Sequence, residues 1–195
     1  MLCFHDMLNE GIHGVNNGTF DKYIVAITDY LGGNIEKEYG DAIINLYKGT
    51  PGIGKWIHNR IFESDVTLLY DGSCVLCWRT LSFDNAQERK DKLGGSLRKG
   101  EEYDMASYSG KIVFSWSIDK RFVYREWASG YYAIFRAKIP FNQVLFATDL
   151  YGDWSDGITD DDRFLSLMNK IRYQHEVVVW HKDPIVAHLE TIGYA

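Results

Sequence analysis

Val75-Leu76-Cys77-Trp78-Arg79-Thr80-Leu81-Ser82-Phe83 decides the fold, because read as a strand or as the start of a helix these residues lead to different proteins. Apolar side chains recur at alternate positions, which fits a half-buried strand better than a helical stripe. On that reading Arg79 shares a face with Val75, Cys77, Leu81 and Phe83. An arginine in an apolar row is expensive unless an acceptor or anion meets it, since the guanidinium stays charged. A partner within the fold, or a stem that snorkels to water, satisfies it structurally. A phosphate held in its fork satisfies it functionally.

Two further stretches extend the pattern. From Lys111 the chain alternates through Phe114-Ser115-Trp116-Ser117-Ile118, placing Ser115 and Ser117 on one face and Phe114, Trp116 and Ile118 on the other. Near the C-terminus, Gln174-His175-Glu176 runs directly into Val177-Val178-Val179. Strand alternation predicts that Gln174 and Glu176 project together and His175 oppositely. Such a face offers a carboxylate to stabilise a cationic sugar transition state, beside an amide to hold a second substrate. The plain alternative is an edge strand whose polar end lies in water.

In this order and spacing, Arg79, Ser115 with Ser117, and Gln174 with Glu176 resemble the signature of the mono-ADP-ribosyltransferases: an arginine on the first core strand, a Ser-x-Ser strand, then Gln-x-Glu or Glu-x-Glu. Tyr131 to Pro140 and Val144 to Ala147 look like that fold's middle strands, so the resemblance covers about residues 74 to 195. Thr80 stands where many members have glycine, and Trp116 where many have threonine. The resemblance implies a split, largely antiparallel sheet that takes NAD+ as co-substrate. It further implies phosphates on Arg79, Ser115 orienting Glu176, and a cleft lined by Ser117. Tyr124 and Phe122 are candidates to stack on nicotinamide. Glu-x-Glu members usually modify arginine; Gln174 departs from this, because an amide is no base for a guanidinium. The implied acceptor is a non-arginine protein side chain or a nucleobase. A toxin, defence or phage effector is the implied setting, with an inhibitor or antitoxin as a possible partner.

Lys48 competes for the arginine position, since Leu46-Tyr47-Lys48-Gly49 is similar to the Leu-Tyr-Arg-Gly of many such transferases. It ends a helix expected from about Ile35 to Tyr47, with Gly49 as a stop, and lacks a two-pronged donor. Leu68 to Cys77 resembles instead the Asp-Gly-x-Cys-x-x-Cys start of a thiol-disulfide oxidoreductase family with a thioredoxin-like core. Cys74 and Cys77 form a redox pair only if they open a helix; a strand sends them to opposite faces. Zinc lacks a second closely spaced ligand pair.

The 195 residues suit one well-buried domain with a helical appendage: residues 1–70 as an N-terminal helical segment and 71–195 as the core. Hydrophobic residues make up 46% and aromatics 15%, a globular composition. Three cysteines, no long apolar run and no basic-apolar leader point to a cytoplasmic protein without a membrane partner, whether or not it is delivered into a target cell. A net charge of −6 disfavours a broad grip on nucleic acid, although Lys90, Lys92, Arg98 and Lys99 make one local basic cluster and Lys120, Arg121 and Arg125 another; the plain reading of both is solvated surface charge. Helical spacing marks Phe20 to Ile27, Ile35 to Leu46, Trp56 to Phe62, Ala86 to Leu93, Arg121 to Ala128 and Asp161 to Lys170; Asp149 to Asp162 reads as an acidic loop. Helices followed by strands predict an α+β fold.

Overall fold

The computed structural model describes residues 17–33, 37–50, 52–54, 57, 73–95, 97–105, 112–148 and 162–195. Alternating and β-branched residues give seven strands: β1 (Cys74–Phe83), β2 (Glu102–Asp104), β3 (Val113–Ser117), β4 (Tyr131–Pro140), β5 (Val144–Ala147), β6 (Glu176–Trp180) and β7 (Val186–Tyr194). They form one sheet in the order β2-β7-β4-β1-β3-β6-β5, every neighbour antiparallel. With the helices this is an α+β architecture. The sheet is nearly divided: β1 pairs with β4 along its whole length but meets β3 only at Trp78 opposite Ser117.

Helices α1 (Asn17–Leu31), α2 (Lys37–Gly49) and α4 (Asp162–Ile171) cover one face of the β3-β6-β5 half, while α3 (Ala86–Lys92) follows β1. Tyr23, Ile24, Ile27 and Tyr30 are the buried stripe of α1, at helical spacing. Tyr23 donates its hydroxyl proton to the carbonyl of Leu145 in β5. Tyr47 meets Trp180 edge-on at 6.3 Å, and Phe164 of α4 meets Phe146 at 6.2 Å. Gly40 lets α2 seat closely, since an added Cβ would lie 3.2 Å from the Val113 side chain and press it aside. Val177, Val178 and Val179 are all buried although they alternate between the two faces of β6, which explains a continuous apolar run. The N-terminal helices therefore share one core with the sheet.

The expected helices at Ile35 to Tyr47, Ala86 to Leu93 and Asp161 to Lys170 appear within a residue or two of their ends. The segment expected from Arg121 to Ala128 becomes a short turn, Lys120–Phe122, continued by a π-helical turn, Val123–Trp127. Most of Trp56 to Phe62 and of Asp149 to Asp162 lies outside the described residues. Among those described, no helix is long and apolar enough to cross a membrane.

Replacing Tyr23 with Phe leaves the buried Leu145 carbonyl without its side-chain donor. Urea denaturation should show a loss of about 1–3 kcal/mol with an unchanged m-value.

Candidate active site

Where β1 and β3 part beyond the Trp78–Ser117 pair, β3 loses its ladder partner on that side. Tyr30 of α1 donates to the Val113 carbonyl at 3.3 Å, and Arg79 Nη1 donates to the Ser115 carbonyl. By alternation Arg79 belongs to the face of Phe114 and Trp116, and its guanidinium carbon lies 4.8 Å from the Phe114 ring centre. Its charge nonetheless reaches both Tyr30 and Glu176. Burial pulls the guanidinium below its usual range, and Tyr30 and Glu176 oppose that pull. Arg79 Nε is buried and has no partner among the described residues, so the fork keeps unused donor capacity.

Trp78, Ser117 and Glu176 lie in one register row on the opposite, helix-covered face, with Ser115 beside them. The Ser115 hydroxyl is hydrogen-bonded to Glu176 and also to the Tyr30 hydroxyl. Tyr30 sends its own proton to Val113, so the single Ser115 proton is shared between the Glu176 carboxylate and the Tyr30 oxygen, serving one at a time. Glu176 is only 8% exposed. Burial pushes its pKa up against the downward pull of Ser115 and Arg79. Its backbone is clamped by Thr148, whose Oγ1 accepts from the Glu176 amide at 2.8 Å and donates to its carbonyl at 3.3 Å. Arg79, Ser115 and Glu176 are thus brought together, as the sequence pattern anticipates.

Other expected residues sit differently. Gln174 is not on the strand: it closes a 3-10 turn, Arg172–Gln174, and β6 begins at Glu176. His175 between them has φ 49°, in the left-handed region, which breaks the alternation from which a shared face was inferred. Ser117 is fully buried, and its hydroxyl donates to the Gln174 carbonyl at 2.7 Å while accepting from the Asp119 amide at 3.0 Å. It fixes the turn instead of lining a cleft. Tyr124 lies on the π-helical turn near Lys120, Glu190 and Tyr132, away from the Arg79–Glu176 group. Lys48 sits over the Trp180 ring at 4.8 Å, so Arg79 is the cation beside Ser115.

Cys74 and Cys77 lie on β1, three apart and therefore on opposite faces. Both are free, and burial pushes the Cys77 thiol far up, the reverse of an activated redox thiol. Among the described residues no group of three or more His, Cys, Asp or Glu is arranged to hold a metal.

Three contributors escaped the sequence reading: Tyr30, Thr148 and His181. Tyr30 carried a usable signal, since a tyrosine in the buried stripe of a helix must find a partner for its hydroxyl. His181 packs against Phe114 at 4.4 Å and accepts from Trp116 Nε1 at 3.3 Å through Nε2. Burial, reinforced by Arg79, lowers its pKa to about 3, so it is neutral beside the guanidinium.

Comparison with models of protein families, with curated proteins and with solved structures yields no match to this chain.

The two buried titratable groups impose opposite pH dependences. His181 binds a proton less readily folded than unfolded, so stability falls as the pH drops from about 6.5, the free imidazole value, toward 3. His181→Gln, which keeps an acceptor for Trp116, should remove a loss on the order of 4 kcal/mol over that window. Glu176, with its pKa raised, contributes stability below the ordinary carboxylate range that is lost as the pH rises through its folded value. Glu176→Gln should raise the melting temperature at pH 7 and not at pH 3.

Proposed function

We propose that this protein is an NAD+-dependent mono-ADP-ribosyltransferase that modifies a macromolecular acceptor. The observation carrying the proposal is the joining of the Ser115 hydroxyl to the buried Glu176 carboxylate beside Arg79, in the gap where the sheet divides. Arg79 suits a diphosphate because its unpartnered Nε and planar fork leave donors for phosphate oxygens. NAD+ supplies an ADP-ribosyl group whose bond to nicotinamide breaks toward an oxocarbenium-like ribose.

Glu176 acts in its ionised form, stabilising positive charge that exists only in the transition state. Ser115 holds that carboxylate in place, and Thr148 fixes the backbone carrying it. Because burial raises the Glu176 pKa, turnover rises with pH as the carboxylate ionises. Gln174 lies at the mouth of β6, where a neutral amide suits a non-arginine acceptor. The thiol-disulfide alternative has the buried Cys77 and the strand geometry against it. A catalytically silent module draws support from the low exposure of Glu176, and the assay below separates it from a transferase.

Glu176→Gln should lower nicotinamide release from NAD+ by about 10²- to 10³-fold with an unchanged circular dichroism spectrum. Undiminished release from a folded variant refutes the assignment. Absence of release and of label transfer from NAD+ to lysate by the wild-type protein establishes the silent module.

A further inference from the structure

The helical segment that follows β3, Lys120–Trp127, faces the turn Arg172–Gln174 across a cleft of about 720 Å³. Lys120, Arg121, Phe122, Tyr124, Arg125 and Tyr173 line it, together with the carboxylates of Asp119 and Glu126. Three cations thus gather on a chain whose net charge is −6. They are not equivalent. Lys120 is tied to Glu190 at 2.8 Å and lies over the Tyr124 ring. The Arg121 side chain is 91% exposed and approaches Asp119 only to 3.8 Å, while Asp119 is occupied in capping the Arg121 amide at 2.8 Å. Arg125 is exposed and has no ion-pair partner among the described residues. Two guanidinium groups one helical turn apart are therefore available to a ligand.

The aromatic side of the cleft is also unsatisfied. Tyr173 is 60% exposed, with Phe122 edge-on to it at 5.7 Å. A large aromatic ring held by one edge contact and flanked by guanidinium groups matches the chemistry of a nucleobase stacked between phosphates. We infer that this cleft binds single-stranded nucleic acid, one base stacking on Tyr173 and the neighbouring phosphates meeting Arg121 and Arg125. A duplex conceals its base faces, and a net charge of −6 disfavours an extended grip on its phosphate track.

The cleft adjoins the candidate active site through the backbone. Tyr173 precedes Gln174, whose carbonyl is held by Ser117, and Ser117 is the register partner of Glu176. A base stacked on Tyr173 thus lies on the turn that leads into β6. The acceptor role rests on the function proposed above: a nitrogen of the base forms the bond to the ribose carbon, nicotinamide leaves with the electron pair of the broken bond, and the proton of the base passes to solvent. Binding itself does not depend on that reading.

The test uses the full chain and a short fluorescein-labelled single-stranded oligonucleotide, as RNA and as DNA, with the matching duplex as a control. Fluorescence anisotropy is followed across a salt series, and nicotinamide release from NAD+ is measured in parallel. Tyr173→Ala should weaken single-strand binding about tenfold, and Tyr173→Phe should restore it. Arg121→Ala with Arg125→Ala should weaken binding and reduce the slope of log affinity against log salt by about 1.4. All three positions are exposed, so the variants should fold. Failure of the wild type to bind either single strand, preference for the duplex, or indifference to Tyr173→Ala overturns the proposal. So does a loss of NAD+ turnover in these variants with unaltered oligonucleotide binding, which would assign the cleft to the co-substrate. Nuclease-resistant label on a protein acceptor overturns the acceptor role. Oligonucleotide binding with the predicted dependences, without any nicotinamide release, leaves the cleft standing and removes only the transferase.

Discussion

The parting of β1 from β3 is the constraint on which the site depends. A sheet that divides exposes carbonyls which must find donors, because buried backbone groups left unpaired cost as much as a lost hydrogen bond. Here Arg79 and Tyr30 supply those donors at Ser115 and Val113. A structural need thus draws a cation and a phenol to the same edge that carries Ser115. Glu176, the register partner of Ser117 on the next strand, completes the group. The same residues that close the gap form the candidate site, so substituting Arg79 removes a structural donor as well as a candidate phosphate ligand.

Desolvation governs the charges in this neighbourhood. It is the largest influence on Arg79, Glu176 and His181 alike, and it opposes the charged form of each. Arg79 and Glu176 offset part of that penalty for one another, whereas His181 has no anion beside it among the described residues and stays neutral against Trp116 and Phe114. A neutral imidazole next to the guanidinium adds no competing positive charge. An anion entering the gap would therefore meet Arg79 as its principal cation, with the unpartnered Nε as an open donor.

The period-two pattern was strong enough to identify β1 and β3, and with them the meeting of Arg79 and Ser115. It also disposed of the Cys74–Cys77 pair on geometric grounds, since strand residues three apart diverge. It failed at His175, because a single residue with positive φ resets the direction of the following side chains, and no glycine or asparagine marked the position. Gln174 was consequently assigned to a strand face when it belongs to a turn. The clamp of Thr148 on Glu176 and the stacking of His181 on Trp116 connect residues 28 and 65 positions apart. Such pairings follow from strand order, and local sequence carries no trace of them.

The face of Trp78 links the two halves of the sheet. Trp78 Nε1 donates to Glu190 at 3.1 Å, and Glu190 also receives Lys120 at 2.8 Å and Arg136 at 3.5 Å. Burial raises the Glu190 pKa while these donors lower it, and the donors prevail. One carboxylate on β7 thereby anchors three other elements: β1, β4 and the helical segment after β3. That segment is tied at its start to the row in which Trp78, Ser117 and Glu176 lie, because Ser117 receives the Asp119 amide while Glu190 holds Lys120. Its exposed arginines extend from a base fixed to the sheet, and whatever they hold is positioned by the same register that positions Glu176.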